Sequence, residues 1–177
     1  MSKEIPAYVA GHQLLAGKHI LITAAAGAGI GFSAARRAVE EGAASLVISD
    51  VHEGRLQQAV ETLAALDRQC RVRGIVADVT NEEQVQHLVD EAELHSGGID
   101  VLINNAGLGG TCSLADMQDE AWNRVIDISL TGTMRMMRAM VRYMHPRGRG
   151  VIVNNASVLG WRAQTEQCHY AAAKAGV

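Results

Sequence analysis

The sequence predicts an α/β fold built on a doubly wound parallel sheet. Five short aliphatic runs of strand length alternate with longer stretches whose apolar residues recur at helical spacing. The first run leads through a glycine-rich turn into an alanine-rich helical stretch, as in a strand–helix unit of a parallel sheet. No Pro-rich linker or repeat interrupts this alternation, so we expect a single domain over residues 1–177.

The elements are expected in a regular order. Strands are predicted at residues 19–23, 45–49, 71–77, 100–103 and 150–153. The helices are predicted from the glycine turn to about residue 42, over 53–67, after residue 80, over 119–144 with a break near Gly132, and from about residue 167. Thr80 and Glu83 fit a capping box, in which the threonine hydroxyl would cap the third helix.

Composition excludes several classes of protein. The chain is 48% hydrophobic and 20% charged with a net charge of −3, so it is a globular chain and a poor candidate for non-specific nucleic-acid binding. Its three widely spaced cysteines and seven histidines form no disulfide framework or metal-binding pattern, so no metal is expected. No secretory signal and no membrane-spanning run is recognised, and a cytoplasmic location is expected.

The glycine turn and the end of the second strand have the parts of a dinucleotide site. Gly27, Gly29 and Gly31 would let the backbone approach a pyrophosphate at a helix N-terminus, although such a turn is equally often a packing feature. Asp50 follows about 20 residues later, where a carboxylate can accept from both ribose hydroxyls. That carboxylate would repel a 2′-phosphate, which favours NAD over NADP, while a helix cap is its alternative role.

The chemistry of proton transfer is suggested by residues near the end of the chain. Tyr170 and Lys174 are four residues apart and therefore share one helix face, where an ammonium would favour the phenolate form of the tyrosine. Ser157 follows the fifth strand and could hydrogen-bond a substrate carbonyl. Each feature alone is more often a surface pair or a loop serine, so only their joint occurrence is informative.

Taken together, these segments resemble the short-chain dehydrogenase/reductase family from about residue 16 onward. The shared features are TAAAGAGIG, Asp50, Asp78-Val79, NNAG at 104–107, Ser157 and YAAAK at 170–174. The resemblance implies a Rossmann-like fold, an NAD(P)-dependent oxidoreductase, Tyr170 as general acid or base, Lys174 as a ligand of the nicotinamide ribose, and Ser157 as the group that orients the substrate oxygen. The cofactor-binding residues that it implies are Thr23, Gly27, Gly29, Ile30, Gly31, Asp50, Asp78, Val79, Asn105, Ala106, Gly107, Tyr170 and Lys174.

The sequence departs from the family pattern in three places. Ser129 stands where the family has a catalytic asparagine, so it is the candidate for the proton-relay position. Ala24 and Ala25 begin a glycine turn that normally begins with glycine and is one residue shorter. The C-terminal part of the usual domain, which closes the substrate pocket, is not present after the YAAAK helix.

A narrower resemblance concerns the substrate. The segments NNAGLGG, NNASVLGWRAQ and HYAAAKAGV resemble actinobacterial reductases of steroid catabolism that act on a bicyclic indane-propionyl-CoA. The expected partners are therefore a small, possibly CoA-linked substrate and further copies of the chain in a dimer or tetramer, with no nucleic acid and no membrane. The alternatives are a 3-oxoacyl thioester reductase of lipid metabolism and a non-catalytic nucleotide-binding fragment.

Overall fold

A computed structural model describes residues 8–177, which form one five-stranded sheet flanked by helices. The strands are β1 (His19–Ile22), β2 (Ser45–Asp50), β3 (Arg71–Val76), β4 (Val101–Asn104) and β5 (Val151–Asn154). The α-helices are α1 (Ile30–Glu40), α2 (Glu53–Ala64), α3 (Glu82–Ser96), α4 (Asp119–Ile126), α5 (Gly132–Arg147) and α6 (Cys168–Gly176). A π-helical turn (Asp127–Thr131) joins α4 to α5, and a 3₁₀ turn (Val158–Gly160) follows β5.

The sheet has the predicted doubly wound parallel arrangement. Its strand order is β3-β2-β1-β4-β5, and all four pairings are parallel. The chain therefore runs outward from β1 to one edge and then crosses to the other side of β1. In parallel sheets of this kind the carboxyl ends of the strands, on both sides of that crossing point, form the ligand-binding edge.

Two apolar layers cover the sheet, one on each face. Side chains alternate along β1, so Ile20 and Ile22 pack with α1 and α2 while Leu21 packs with α3 and α5. All three side chains are fully buried. Because the core layers are built from Ala, Val, Ile, Leu and Met, the low aromatic content does not prevent close packing.

The predicted cap of α3 is wrong by one residue. Asn81 is the N-cap, and its Oδ1 accepts from Gln84 N at 3.0 Å. Thr80 turns back instead, since its backbone N–H and its hydroxyl both donate to Asp78 Oδ1, at 2.9 and 2.8 Å. The Thr80 hydroxyl that the capping box requires therefore hydrogen-bonds to Asp78, shortly after β3, and does not cap the helix.

The predicted break near Gly132 is confirmed as the π-helical turn that ends at Thr131. A Cβ on Gly132 would lie 2.7 Å from Val79 Cγ2, so the helix is pressed against the segment after β3 at this point. The helix continues to Arg147, whose guanidinium donates two hydrogen bonds to Glu93 of α3, at 2.7 and 3.1 Å. This pairing ties the C-terminal end of α5 to α3.

The segment before β1 is tied to the end of α1 by the buried side chain of Glu41. Its Oε2 accepts from Leu14 N at 3.0 Å and from His12 N at 2.7 Å, and its Oε1 pairs with Arg37. The backbone N–H of Leu14, followed by that of His12 and the guanidinium of Arg37, lowers the pKa of Glu41 against the opposing effect of burial.

Among the described residues, no helix combines the length and apolarity needed to cross a bilayer.

Candidate active site

The glycine turn between β1 and α1 is held by the turn that follows β4. Thr23 is buried, and its Oγ1 accepts from the backbone N–H groups of Asn105 and Ala106, both at 3.0 Å. Asn105 Nδ2 donates in return to the carbonyls of Thr23 and Ala24, at 3.1 and 2.9 Å. Ala24 adopts φ of +51°, a left-handed conformation that explains why glycine is usual there.

The three glycines of this turn have different surroundings. A Cβ on Gly29 would meet nothing within 4 Å, and one on Gly27 would only reach Gly29 N at 4.0 Å. A Cβ on Gly31 would lie 2.5 Å from Asn105 Nδ2 and 2.6 Å from the Ala24 carbonyl oxygen. Gly27 and Gly29 therefore offer open backbone, beside an exposed Ile30 at the start of α1, whereas Gly31 is required by packing.

Asp50 lies at the carboxyl end of β2 next to the glycine turn. One carboxylate oxygen accepts from Ala26 N at 3.3 Å and the other from His52 N at 3.1 Å. The guanidinium of Arg55 lies 3.8 Å from the same carboxylate. These contacts orient Asp50 into a cleft of about 480 Å³, which is lined by Ala24, Ser49, Asp50, Val51, His52, Arg55, Ala77, Asp78, Val79, Ala106, Gly107, Leu108, Arg124 and Ile128.

Five of the predicted cofactor residues thus line one cleft. Asp78 is fixed in it by the two bonds from Thr80 and by its own N–H, which donates to Gln84 Oε1 at 2.9 Å. Val79 is buried against Gly132. The open backbone at Gly27 and Gly29 and the cleft that Asp50 lines fit the pyrophosphate and adenosine ribose of a dinucleotide.

Lys174 is a buried cation at the junction of α6, β4 and β5. Its side chain is only 7% exposed, and its Nζ lies 5.8 Å from the centre of the Tyr170 ring. The same Nζ donates to the Asn155 carbonyl oxygen at 2.5 Å. Burial lowers the pKa of Lys174 below that of free lysine. The predicted proximity of Tyr170 and Lys174 is therefore present.

Ser157 begins the 3₁₀ turn that packs against α6. Its Oγ accepts from Leu159 N at 3.2 Å, so the hydroxyl hydrogen has no partner in this interaction. A Cβ on Gly160 would lie 2.6 Å from the Lys174 carbonyl oxygen, which shows how closely the turn approaches α6. The turn thus holds Ser157 beside the helix that carries Tyr170 and Lys174.

Ser129 is fully buried in the π-helical turn, and its hydroxyl forms two hydrogen bonds with the backbone of Leu108. Its Oγ accepts from Leu108 N at 2.9 Å and donates to the Leu108 carbonyl at 3.1 Å. A Cβ on Gly107 would be 3.7 Å from Ser129 Oγ and 3.4 Å from Lys174 Nζ, so both groups lie close to that glycine. Ser129 holds the loop after β4 in place.

Two features of the site had no predicted role. Asn155 contacts both Asn105 and Lys174, and its signal in the sequence is a second Asn-Asn pair at the same strand end as the first. His169 is buried, and its Nδ1 has no hydrogen-bond partner among the described residues. Within residues 8–177 no group of three or more His, Cys, Asp or Glu side chains is arranged to hold a metal ion.

Comparison with known proteins identifies the family. The family described as short chain dehydrogenase matches residues 18–177. The chain belongs to the short-chain dehydrogenase family. It is 56% identical over 174 residues to the (5R,7aS)-5-hydroxy-7a-methyl-1-oxo-2,3,5,6,7,7a-hexahydro-1H-indene-carboxyl-CoA reductase of Mycobacterium tuberculosis, which covers 97% of this chain and 65% of that protein.

More distant short-chain dehydrogenases also match. The cis-4-hydroxycyclohexanecarboxylate dehydrogenase of Sinomonas cyclohexanicum is 40% identical over 90% of this chain and 63% of its own. The 3-oxoacyl-[acyl-carrier-protein] reductase of Thermotoga maritima is 36% identical over 92% of this chain and 65% of its own. This short-chain dehydrogenase therefore spans about two thirds of the length of the curated relatives that it matches.

Solved structures agree with the fold. A short chain dehydrogenase from Mycobacterium smegmatis superposes with a TM-score of 0.93 at 55% identity, covering 98% of this chain and 72% of that one. An NAD⁺-bound xylitol dehydrogenase superposes with a TM-score of 0.87 at 32% identity, covering 92% of this chain and 62% of that one. The predicted Rossmann-like fold and family membership are confirmed, and proteins of this family bind nicotinamide cofactors.

Proposed function

We propose that the chain carries the cofactor site and the proton-transfer group of an oxidoreductase that interconverts a secondary alcohol and a ketone. The observation that carries the proposal is the buried ammonium of Lys174 beside the Tyr170 ring, at the edge where the glycine turn and the Asn105–Gly107 turn meet. The nicotinamide cofactor, when bound, supplies or accepts the hydride. The protein must then move one proton to or from the substrate oxygen.

Tyr170 is the proposed donor or acceptor of that proton. A phenolate is stabilised by a nearby cation, and Lys174 has no carboxylate among its hydrogen-bond partners in the described part of the chain to neutralise it. Its positive charge therefore acts on Tyr170 and on the ribose of a bound nicotinamide. Ser157 donates its unpaired hydroxyl hydrogen to the substrate oxygen, which orients that oxygen toward Tyr170.

Ser129 supports the site without being its proton carrier in the state described. Its hydroxyl hydrogen points to the Leu108 carbonyl, so a relay through Ser129 requires that this bond be exchanged for one to water. Its contribution is to hold Leu108 and the neighbouring Gly107 against Lys174. The turn after β4 is thereby kept in the shape that a cofactor needs.

The proposed cofactor is NAD rather than NADP. Asp50 is oriented into the cleft by two backbone N–H groups, and a carboxylate there accepts from ribose hydroxyls but repels a 2′-phosphate. Arg55, 3.8 Å away, is already paired with Asp50. NADPH is therefore expected to bind about tenfold or more weakly than NADH, as a fluorescence titration with each would measure; equal affinity contradicts the assignment.

The proposed substrate is a bicyclic ketone or alcohol carried as a CoA thioester, as in steroid degradation. The 56% identical relative from Mycobacterium tuberculosis supports this choice over a 3-oxoacyl thioester of lipid metabolism, for which the relative is 36% identical. Turnover of a hexahydroindane ketone CoA thioester is compared with that of a short 3-oxoacyl-CoA. A higher kcat/KM for the bicyclic substrate supports the proposal, and the reverse order favours the lipid reductase.

The proton-transfer role is tested by removing one oxygen atom. Tyr170→Phe is expected to reduce kcat by about 10² to 10⁴ while the Kd for NADH stays within about twofold, because the ring remains but the proton donor is lost. Tyr143→Phe is the matched control, since Tyr143 donates to Asp90 on the surface of α3 at 2.7 Å. Undiminished turnover in Tyr170→Phe would refute the mechanism.

We further propose a cytoplasmic homo-oligomer, a dimer or a tetramer. The oligomer is supported by the exposed apolar side chains Trp122, Met134 and Val141 on α4 and α5. Sedimentation of the purified chain measures its mass in solution. A single species of 18.9 kDa contradicts the oligomer.

A further inference from the structure

A hydrogen-bonded chain of amides connects the glycine turn to the buried lysine. It runs from the Ala24 carbonyl to Asn105 Nδ2 at 2.9 Å, and from Asn105 Oδ1 to Asn155 Nδ2 at 3.0 Å. The carbonyl of Asn155 then accepts from Lys174 Nζ. The chain crosses from the end of β1 to the ends of β4 and β5, so it joins the two halves of the proposed site.

The polarity of this chain is determined by Asn105. Its Nδ2 has two hydrogens, which go to the carbonyl oxygens of Thr23 and Ala24, both acceptors only. Rotating the amide by 180° would place its oxygen against these two carbonyls, so Oδ1 must face Asn155. Residue 155 must therefore donate a hydrogen bond, and an acceptor in its place would meet another acceptor.

Asn155 is held from two directions at the position where its carbonyl accepts from Lys174. Its backbone N–H donates to the Asn104 carbonyl at 2.9 Å, and its side chain donates to Asn105. Among the described residues, its carbonyl is the one hydrogen-bond acceptor of the buried Lys174 ammonium. A carbonyl dipole that faces a buried ammonium favours the charged form of the lysine.

We propose that Asn155 is a positioning residue that couples the cofactor turn to Lys174. Its side chain orients Asn105, which in turn holds Ala24 in its left-handed conformation, and its carbonyl holds the ammonium beside Tyr170. The inference rests on the proposed function, because the two groups that it joins are the cofactor turn and the proton-transfer pair. It predicts that a change at residue 155 alters both ends of the chain.

The first test is a matched pair of substitutions on adjacent residues. Asn155→Asp replaces the required donor with an acceptor, whereas Asn154→Asp keeps the oxygen that accepts from Asn104 Nδ2 at 2.9 Å. Asn155→Asp is expected to weaken NADH binding about tenfold or more, and Asn154→Asp to change it less than about threefold. Equal effects of the two substitutions on NADH affinity would overturn the proposed coupling.

The second test needs neither cofactor nor turnover. The sequence has three lysines, so protein labelled with ¹³C at lysine Cε gives one assignable signal for Lys174 and one for the exposed Lys18 as an internal reference. In Asn155→Leu the carbonyl is no longer held by the side chain, and the pKa of Lys174 is expected to fall by about 0.5 or more. A pKa that stays the same or rises overturns the positioning role.

The two measurements separate this inference from the proposed function. Wild-type protein that binds no NADH overturns the function, and the lysine titration then decides the role of Asn155 alone. Thermal melting of each variant shows whether it is folded, and a general loss of structure would make the Lys174 signal coincide with that of the exposed Lys18. A shift confined to Lys174 in a folded Asn155→Leu protein supports the proposal.

Discussion

Replacing Gly31 or Gly29 by alanine separates packing from cofactor binding within a single turn. The Cβ of Gly31→Ala would lie 2.5 Å from Asn105 Nδ2 and 2.6 Å from the Ala24 carbonyl oxygen. Both distances are about 0.8 Å shorter than ordinary van der Waals contact. One of the two neighbours is backbone and the other is fixed by its own hydrogen bonds, so neither can move away without cost.

The loss of stability expected for Gly31→Ala has two contributions. Overpacking of this kind costs about 1–3 kcal/mol, and displacing Asn105 from the Ala24 carbonyl costs about 1 kcal/mol more. Gly31→Ala is therefore expected to lower the free energy of unfolding by about 2–4 kcal/mol, or the melting temperature by about 5–15 °C. At residue 29 a methyl group has open space, and the backbone is extended at φ −91° and ψ −162°. Gly29→Ala is therefore expected to lower the free energy of unfolding by only about 0.5 kcal/mol, because alanine is a poorer N-cap than glycine.

Cofactor affinity should follow a different order. Gly29→Ala places a methyl group where a pyrophosphate would approach the backbone, so NADH binding should weaken about tenfold or more in a protein that melts almost like wild type. Urea unfolding followed by circular dichroism and an NADH fluorescence titration measure the two effects. A Gly31→Ala protein that melts within about 2 °C of wild type, or a Gly29→Ala protein that binds NADH with unchanged affinity, would contradict these roles of the two glycines.

Three further predictions concern stability and thiol chemistry. The hydrogen bonds of Glu41 lower its pKa below the ordinary 4.5, so the stability that it contributes is complete above pH 4.5 and is lost as the pH falls through the folded pKa. Glu41→Gln should therefore flatten this part of the stability–pH curve, as measured by urea unfolding. An unchanged curve contradicts the assignment. Ala24→Gly should raise the free energy of unfolding by up to about 1 kcal/mol, because the strain of a left-handed alanine at φ +51° exceeds the entropy cost of glycine. A lower melting temperature than that of wild type would argue against this strain. Burial raises the pKa of Cys70 to about 11. A thiol reagent at pH 8 should therefore modify the partly exposed Cys112 and Cys168 quickly, and Cys70 only when the protein unfolds. Rapid modification of all three cysteines in native protein would be inconsistent with this burial.

Local geometry explains which features could be predicted from the sequence. Short aliphatic runs and apolar residues at a spacing of 3.6 depend only on the element itself, so the five strands and their helices were predicted to within a few residues. The pairing of Tyr170 and Lys174 follows likewise from four residues of helix. The position of Asp50 at a strand end follows from the length of β2.

Competition between alternative hydrogen-bond partners explains what could not be predicted. Thr80 has the sequence of a cap, yet Asp78 accepts its hydroxyl hydrogen and Asn81 caps the helix instead. Ser129 was predicted at a relay position from the resemblance, and its hydroxyl is hydrogen-bonded to Leu108, which is 21 residues away in the sequence. Such outcomes depend on which donor and acceptor the fold brings together.

The sequence by itself determined the parallel α/β fold, because the fold depends on periodicity and short spacings. The family and the residue types of the site followed from the resemblance of its motifs. Only the tertiary structure decided that Gly31 serves packing while Gly27 and Gly29 stay open, and that Asn155 joins Asn105 to Lys174. The strand register that sets Asn104 opposite Asn154 brings two Asn-Asn pairs side by side across 50 residues of chain. A hydrogen bond over that separation is made by the assembled sheet, since neither segment can form it alone.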